Sequence, residues 1–145
     1  MVQWKFRTIY IFEGNGDVSD PIIFEDAPIF ATSVNALSNG TFVASYGDNN
    51  ANRTGLYKVF SNNGVLQHTE YIREGSNKYS NFVIAQVLSN NNLAIIYKDS
   101  DDSGRLIVLD PSGQAIVKPE VKFTNDFRGS KPSVVILPDD SIIVT

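Results

Sequence analysis

Residues 37–64, LSNGTFVASYGDNNANRTGLYKVFSNNG, run from one turn to the next through two strand-like segments, and the rest of the chain reads as incomplete copies of them. One series of copies closes on glycine. RTIYIFEGNG (7–16), RTGLYKVFSNNG (53–64) and GRLIVLDPSG (104–113) place Gly16, Gly64 and Gly113 at spacings of 48 and 49 residues. A second series opens on leucine. LSNGTFVASY (37–46), LSNNNLAIIY (88–97) and LPDDSIIVT (137–145) place Leu37, Leu88 and Leu137 at spacings of 51 and 49 residues. Two independent series with nearly one period define an internal repeat.

Within a period, Asn, Asp, Gly, Ser and Pro separate four short stretches rich in Ile, Val, Phe and Tyr. These residue types, together with turns such as SNG, SNNG and DPSG, predict strands. Helices have little room, because no window of about a dozen residues both lacks a breaker and shows the 3.6-residue period. The complete unit predicts strands over 29–37, 41–47, 55–60 and 65–73, and the next unit over 81–88, 92–98, 105–110 and 114–123. The expected fold class is all-β, and four-stranded antiparallel units of this size match the blades of a β-propeller.

Asn39-Gly40-Thr41-Phe42-Val43, Tyr46-Gly47-Asp48 and Gly55-Leu56-Tyr57-Lys58-Val59-Phe60, closing on Gly64, resemble a repeat of bacterial surface and secreted proteins. That repeat is written D-G-x-F-V-V-x-W-x-S-D…G-x-Y-x-x-x-F-x-x-x-G, and its tryptophan corresponds to Tyr46 and Tyr97 here. The resemblance covers almost the whole chain. It implies blade geometry rather than a particular chemistry, and an extracellular or cell-surface setting.

The 145 residues suffice for one domain with a core, and 42% hydrophobic with 19% charged residues is the composition of a folded globular chain. A formal charge of −4 argues against non-specific binding to nucleic acid or anionic membrane, since both require a basic surface. Cysteine is absent, which excludes disulfides and thiolate chemistry. No segment approaches the roughly 20 apolar residues of a membrane-spanning helix. Lys5, Arg7 and Glu13 interrupt the opening segment, unlike a signal peptide.

The repeat register places a third strand near Trp4–Phe12 and a fourth near Val18–Glu25, then, after two complete units, a first strand at Ser133–Leu137 and a second from Ile142. The expected organisation is a half blade (1–27), blades at 28–75 and 76–126, and a complementary half blade (127–145). Three blades fall short of the roughly four to eight of closed propellers, and a lone copy would expose strand edges. Three arrangements answer this: a homodimer that exchanges half blades into a six-bladed ring, copies joined head to tail, or a piece of a longer propeller. The homodimer leads.

In propeller geometry the loops between second and third strands share a face with the connections between blades. The ligand-binding candidates there are Asp48, Asn50, Arg53, Tyr79, Asp99, Asp101, Arg105 and Phe127. In DSDDSG (99–104), Asp99, Asp101 and Ser103 alternate as oxygen ligands alternate around calcium, with Gly104 at the sixth position. No glutamate occupies the twelfth position, so this is no EF-hand. The preferred account is a polar hairpin whose side chains cap backbone amides, with no cofactor and calcium as the alternative. Ser100-x-Asp102-x-Gly104 also resembles the Asp box of sialidases, whose role in that family is structural. Leu106 and Ile107 stand where that box continues with threonine and an aromatic. Arg7, Arg53 and Arg105 head the third strands. They suit carboxylates or sulfated sugars, or else local ion pairs of Arg53 with Asp48 and Arg105 with Asp99.

Tyr46, Tyr97, Phe42, Phe60, Phe82 and Phe123 are expected to pack between sheets, whereas Trp4, Tyr71, Tyr79 and Phe127 lie off the periodic core and suit stacking on sugar rings. His68 is the single histidine, which leaves no histidine triad or multi-histidine metal site within one chain. Asp139 and Asp140 fall in a predicted turn, and nothing marks a pair of glycosidase carboxylates. The sequence therefore points to a non-enzymatic β-propeller binding module for a glycan or a surface protein, assembling through its half blades. A structural or assembly domain, or a fragment of a larger surface, viral or engineered propeller, is the alternative, followed by a propeller hydrolase.

Overall fold

The leucine turns repeat in space as they do in sequence. In the computed structural model, which describes residues 7–26, 28–48, 54–72, 81–127 and 132–145, the amides of Leu37, Leu88 and Leu137 donate to the carbonyls of Thr41, Asn92 and Ser141. The side-chain oxygens of Asn39, Asn90 and Asp139 each accept from the amide two residues on, at 3.0 Å in all three turns. Gly40, Asn91 and Asp140 then adopt φ of 85°, 67° and 62°. This is left-handed backbone, open to glycine and tolerated by Asn and Asp.

The turns separate twelve strands among the described residues: β1 (Arg7–Ile9), β2 (Ile22–Glu25), β3 (Ile29–Ala36), β4 (Phe42–Asp48), β5 (Thr54–Phe60), β6 (Leu66–Tyr71), β7 (Asn81–Val87), β8 (Leu93–Lys98), β9 (Gly104–Leu109), β10 (Ile116–Thr124), β11 (Val134–Ile136) and β12 (Ile142–Val144). Every pairing is antiparallel. Two four-stranded meanders, β3-β4-β5-β6 and β7-β8-β9-β10, are flanked by the two-stranded sheets β1-β2 and β11-β12. Among the described residues the fold is all-β without helix, and the sheets do not close into a ring. The strands fall within a few residues of their expected places. The exception is the first, which pairs only over Arg7–Ile9, with an isolated bridge between Phe12 and Val18. Trp4 lies outside the described residues.

Successive sheets stack face on face in chain order. Ile9, Ile22 and Phe24 of β1-β2 pack on Ala44, Tyr46, Leu56 and Phe60 of the first meander. The opposite face of that meander presents Val43, Tyr57 and Val59 to Val83, Ala85, Leu93 and Ile95 of the second. The far face of the second carries Leu88, Ala94, Ile96 and Val108 against Val134, Ile136, Ile142 and Val144. The inner strands β4 and β8 are therefore covered on both faces and buried almost throughout, while β6 and β10 are largely exposed. Burying one large apolar side chain in such a layer contributes about 1.5–3 kcal/mol.

Close fit fixes the angle between the meanders. The Tyr57 hydroxyl of β5 donates to the carbonyl of Gly113 in the β9–β10 turn. A Cβ at residue 113 would lie 2.6 Å from the Tyr57 ring, and the residue holds φ of 79°, so only glycine fits. Phe42 and Phe60 stack with centroids 5.1 Å apart, and Tyr46 and Tyr97 are buried, as expected of aromatics at repeat positions. Phe123 departs from that expectation. It stands on the exposed strand β10, with its ring edge-on to Phe127 at 5.5 Å.

Candidate functional site

The β8–β9 hairpin gathers most of the described site candidates. The amide of Asp99 donates to the Ser103 carbonyl and that of Asp102 to the Asp99 carbonyl, while Asp102 takes φ of 61°, which closes the loop tightly. Asp101 accepts from the amide of Ser103 at 3.0 Å and from its hydroxyl, and from Lys122 Nζ of β10 at 3.0 Å. Arg105 reaches back along the hairpin: its Nε lies 2.7 Å from Asp99 Oδ2 and donates to Ser103 Oγ at 3.1 Å. Its Nη1 donates to Glu120, whose other oxygen accepts from the Tyr97 hydroxyl. The Ser103 hydroxyl and the Lys122 ammonium beside Asp101 hold its carboxyl well below the usual carboxylate range.

The oxygens expected to alternate around a cation thus face Ser103, Arg105 and Lys122, and Asp102 pairs with Lys98 at 2.6 Å. Among the described residues, no three His, Cys, Asp or Glu side chains converge as a metal site requires. The Arg105–Asp99 ion pair forms as one of the two sequence expectations had it. Phe127 closes over this hairpin, its amide donating to the Asp102 carbonyl at 2.6 Å. Asp48 is nearly buried at the end of β4. Asn50, Arg53 and Tyr79 lie outside the described residues.

A second polar centre joins β2 to the first meander and was invisible in the sequence. The Tyr46 hydroxyl donates to Glu25 Oε2 at 2.7 Å, Lys58 Nζ lies 3.3 Å from the same oxygen, and Lys58 also donates to the Phe24 carbonyl at 2.5 Å. Lys58 Nζ stands 5.7 Å from the centroid of the Tyr46 ring. Burial, reinforced by the Glu25 carboxylate, pushes the Tyr46 phenol well above its ordinary value.

A third feature is a cleft of about 200 Å³ between the two meanders, lined among others by Tyr57, Glu70, Tyr71, Ile72, Tyr97 and Gln114. Tyr71 is 42% exposed, but it pairs with Leu56 and so shares the face of Leu56 and Tyr46, turned away from the cleft. Gln114 Nε2 stands 3.5 Å from His68 Nδ1. His68 Nε2 is buried 3.5 Å from Glu70 Oε2 without a hydrogen bond. Tyr71, the aromatic off the periodic core, turns its side chain away from this cleft and was no signal for it. Glu70 and Gln114 carried none, because they come together only when β6 meets the β9–β10 turn. No helix among the described residues is long and apolar enough to cross a membrane. No family model, no curated protein and no solved structure matches the chain.

Proposed function

We propose that the protein is a non-enzymatic binding module of β-propeller type, built from blades that include both meanders, and that it takes a glycan in the cleft between them. Stacking of consecutive meanders in chain order, joined by turns that repeat bond for bond, supports the propeller architecture. One observation carries the binding reading: the carboxylate of Glu70 and the amide of Gln114 line a concave wall that is otherwise mainly apolar, with Ile72, Ile95 and Ile107. Sugar rings are held by such a combination, laying their C–H faces on apolar surface while hydroxyls meet planar polar groups. A glycan array probed with the wild-type chain and with the double variant Glu70→Ala, Gln114→Ala tests this. Binders lost in the variant support it, and an array blank at high protein concentration overturns it.

A second reading, a structural or assembly domain without ligand, is favoured by the β8–β9 hairpin. Asp99, Asp101 and Arg105 bind one another and their neighbours there, which leaves fewer of their polar atoms for a ligand. On either reading, copies assemble through the complementary two-stranded sheets.

A further inference from the structure

We infer that β12 of one copy adds to the free edge of the segment Tyr10–Phe12 that continues β1 in a second copy, Ile142 opposite Phe12, Ile143 opposite Ile11 and Val144 opposite Tyr10, and that two such joints close six sheets into a ring. The inference rests on the propeller reading above and supplies its partner and register. Among the described residues, β1 pairs only with β2, and β12 only with β11. In both meanders the strand after the leucine turn pairs with the strand before the glycine turn, in one fixed register: Phe42 faces Phe60, and Leu93 faces Leu109. β12 follows the Leu137 turn and β1 precedes the Gly16 turn, so the same register sets the stated pairs.

Exposure at equivalent positions shows which faces lack a neighbour. Thr32 and Val34 of β3 correspond to Val83 and Ala85 of β7 by their distance from Leu37 and Leu88. Val83 and Ala85 are fully buried by the first meander, whereas Val34 is 53% exposed and Thr32 is exposed too. On the other side, Leu137 and Ile143 are 37% and 47% exposed, while their equivalents Leu37, Leu88, Val43 and Ala94 are buried. Leu37 and Val43 pack with Val83 and Ala85 in a single cluster. Leu137 and Ile143 are thus one half of that same contact, and Thr32 and Val34 are the other. A cavity of about 390 Å³, lined among others by Arg7, Thr8, Phe24, Ile29, Thr32 and Val34, opens beside β1 where β11 and β12 of the partner would enter. Phe12, 75% exposed, corresponds to the buried Phe60 and Leu109, and the joint covers it in the same way.

A chain cannot make this joint with itself as it stands, because β1-β2 and β11-β12 pack on the outward faces of the two meanders, with both meanders between them. Each copy carries strands for three sheets, so two copies give six, inside the range of about four to eight that closes a ring. Three copies would exceed that range. One local link is missing at the joint. Side chains bridge successive leucine turns from Asn91 to Ser38 and from Asp140 to Ser89, but the corresponding positions across the joint hold Gly40 and Pro138. Strand pairing and the apolar face would hold it instead.

The chain has no cysteine, so Ile11→Cys with Ile143→Cys introduces a unique pair. Cross-strand partners lie about 4.5–5.5 Å apart at Cα, within reach of a disulfide. Light scattering of the wild-type chain is expected to give twice the 16.0 kDa chain mass. The oxidised double variant is expected to run as a covalent dimer on a non-reducing gel, and to revert with reductant. An out-of-register pair, Ile9→Cys with Ile143→Cys, is expected to cross-link at least about tenfold more slowly, its Cα atoms being further apart than a disulfide spans. Wild-type mass equal to one chain, or cross-linking as fast out of register as in it, overturns the inference. Glycan binding that depends on Glu70 and Gln114 in a monomer would sink the joint and leave the binding reading standing. A cross-linked dimer blank on the array would do the reverse.

Discussion

Tyr46 and Glu25 are joined by a 2.7 Å hydrogen bond that crosses from the first meander to the neighbouring two-stranded sheet, and Tyr46 is fully buried. Its hydroxyl therefore has no water to turn to, and the bond should appear undiluted in the stability. Tyr46→Phe keeps the ring against Phe24 but deletes the donor. A loss of about 1–2 kcal/mol is expected, read from urea unfolding at neutral pH. An unchanged midpoint would show that the ring alone matters there.

Arg105 holds Asp99, Asp101 and Glu120 together while being itself only 21% exposed. Removing it takes the arginine from the nearly buried Asp99 carboxylate, which keeps the Ser100 amide. Arg105→Ala is expected to cost about 2–3 kcal/mol, less than a fully buried pair because part of the cluster is open to solvent. Lys at this position recovers little, since one ammonium cannot bridge three carboxylates. Thermal melting of the three proteins checks the order wild type, Lys, Ala.

Because the Asp99 and Asp101 oxygens are engaged by Arg105, Ser103 and Lys122, chelation is expected to leave this hairpin unchanged. Melting midpoints with EDTA and with millimolar calcium should coincide within about 1 °C, since a ligand that binds only the folded state must raise the midpoint. A calcium-dependent rise would revive the cation loop.

The carboxyls of Asp101, Asp139 and Asp140 are all held below the ordinary carboxylate value: Asp101 by Ser103 and Lys122, Asp139 by the Ser141 amide and hydroxyl, Asp140 by the Ser89 amide and hydroxyl. Folded values below the unfolded one, near 3.9, contribute stability that is present above that pH and is lost as pH falls through the folded values. Tyr46 and Tyr57 shift the other way, raised first by burial. Their contribution is whole below about pH 10 and drains as pH climbs beyond it. Denaturation midpoints are expected to be level from about pH 5 to 9 and to fall at both ends. Tyr46→Phe should flatten the alkaline limb only.

Pro138→Ser with Gly40→Asn places at the joint the side chains that bridge Ser38 to Asn91 within one copy. Asn91 already holds a left-handed φ of 67° at the matching position, so Asn is suited to residue 40. Two added hydrogen bonds per joint, each contributing about 0.5–1.5 kcal/mol, should lower the concentration at which the dimer dissociates by roughly tenfold or more. Dilution monitored by light scattering reads this directly.

Turn chemistry made most of the fold legible. The SNG and SNNG turns, DPSG and the apolar runs between them marked strand ends that the structure places within a few residues. What the repeat could not show was which face of a strand meets a neighbour. Phe123 sits in an aromatic pattern like Phe60, yet β10 is an outer strand, and that ring stays 41% exposed although it lies against Gly104 and edge-on to Phe127. The Glu25–Tyr46–Lys58 centre was equally hidden, because its members come from two sheets and Glu25 has no counterpart in the other copies of the repeat. The Arg105–Asp99 pair was readable because both residues belong to one hairpin.

Burial of β4 and β8 on both faces bears on the order in which the chain can be made. Each meander forms from neighbouring strands in sequence, so its own pairings close quickly and locally. Its second face is different: Val43 and Tyr57 meet their partners only when β7 and β8 have been synthesised. A nascent chain that stalls between Ile72 and Val83 would present a finished sheet with one bare apolar side. That interval is when a chaperone has most to hold.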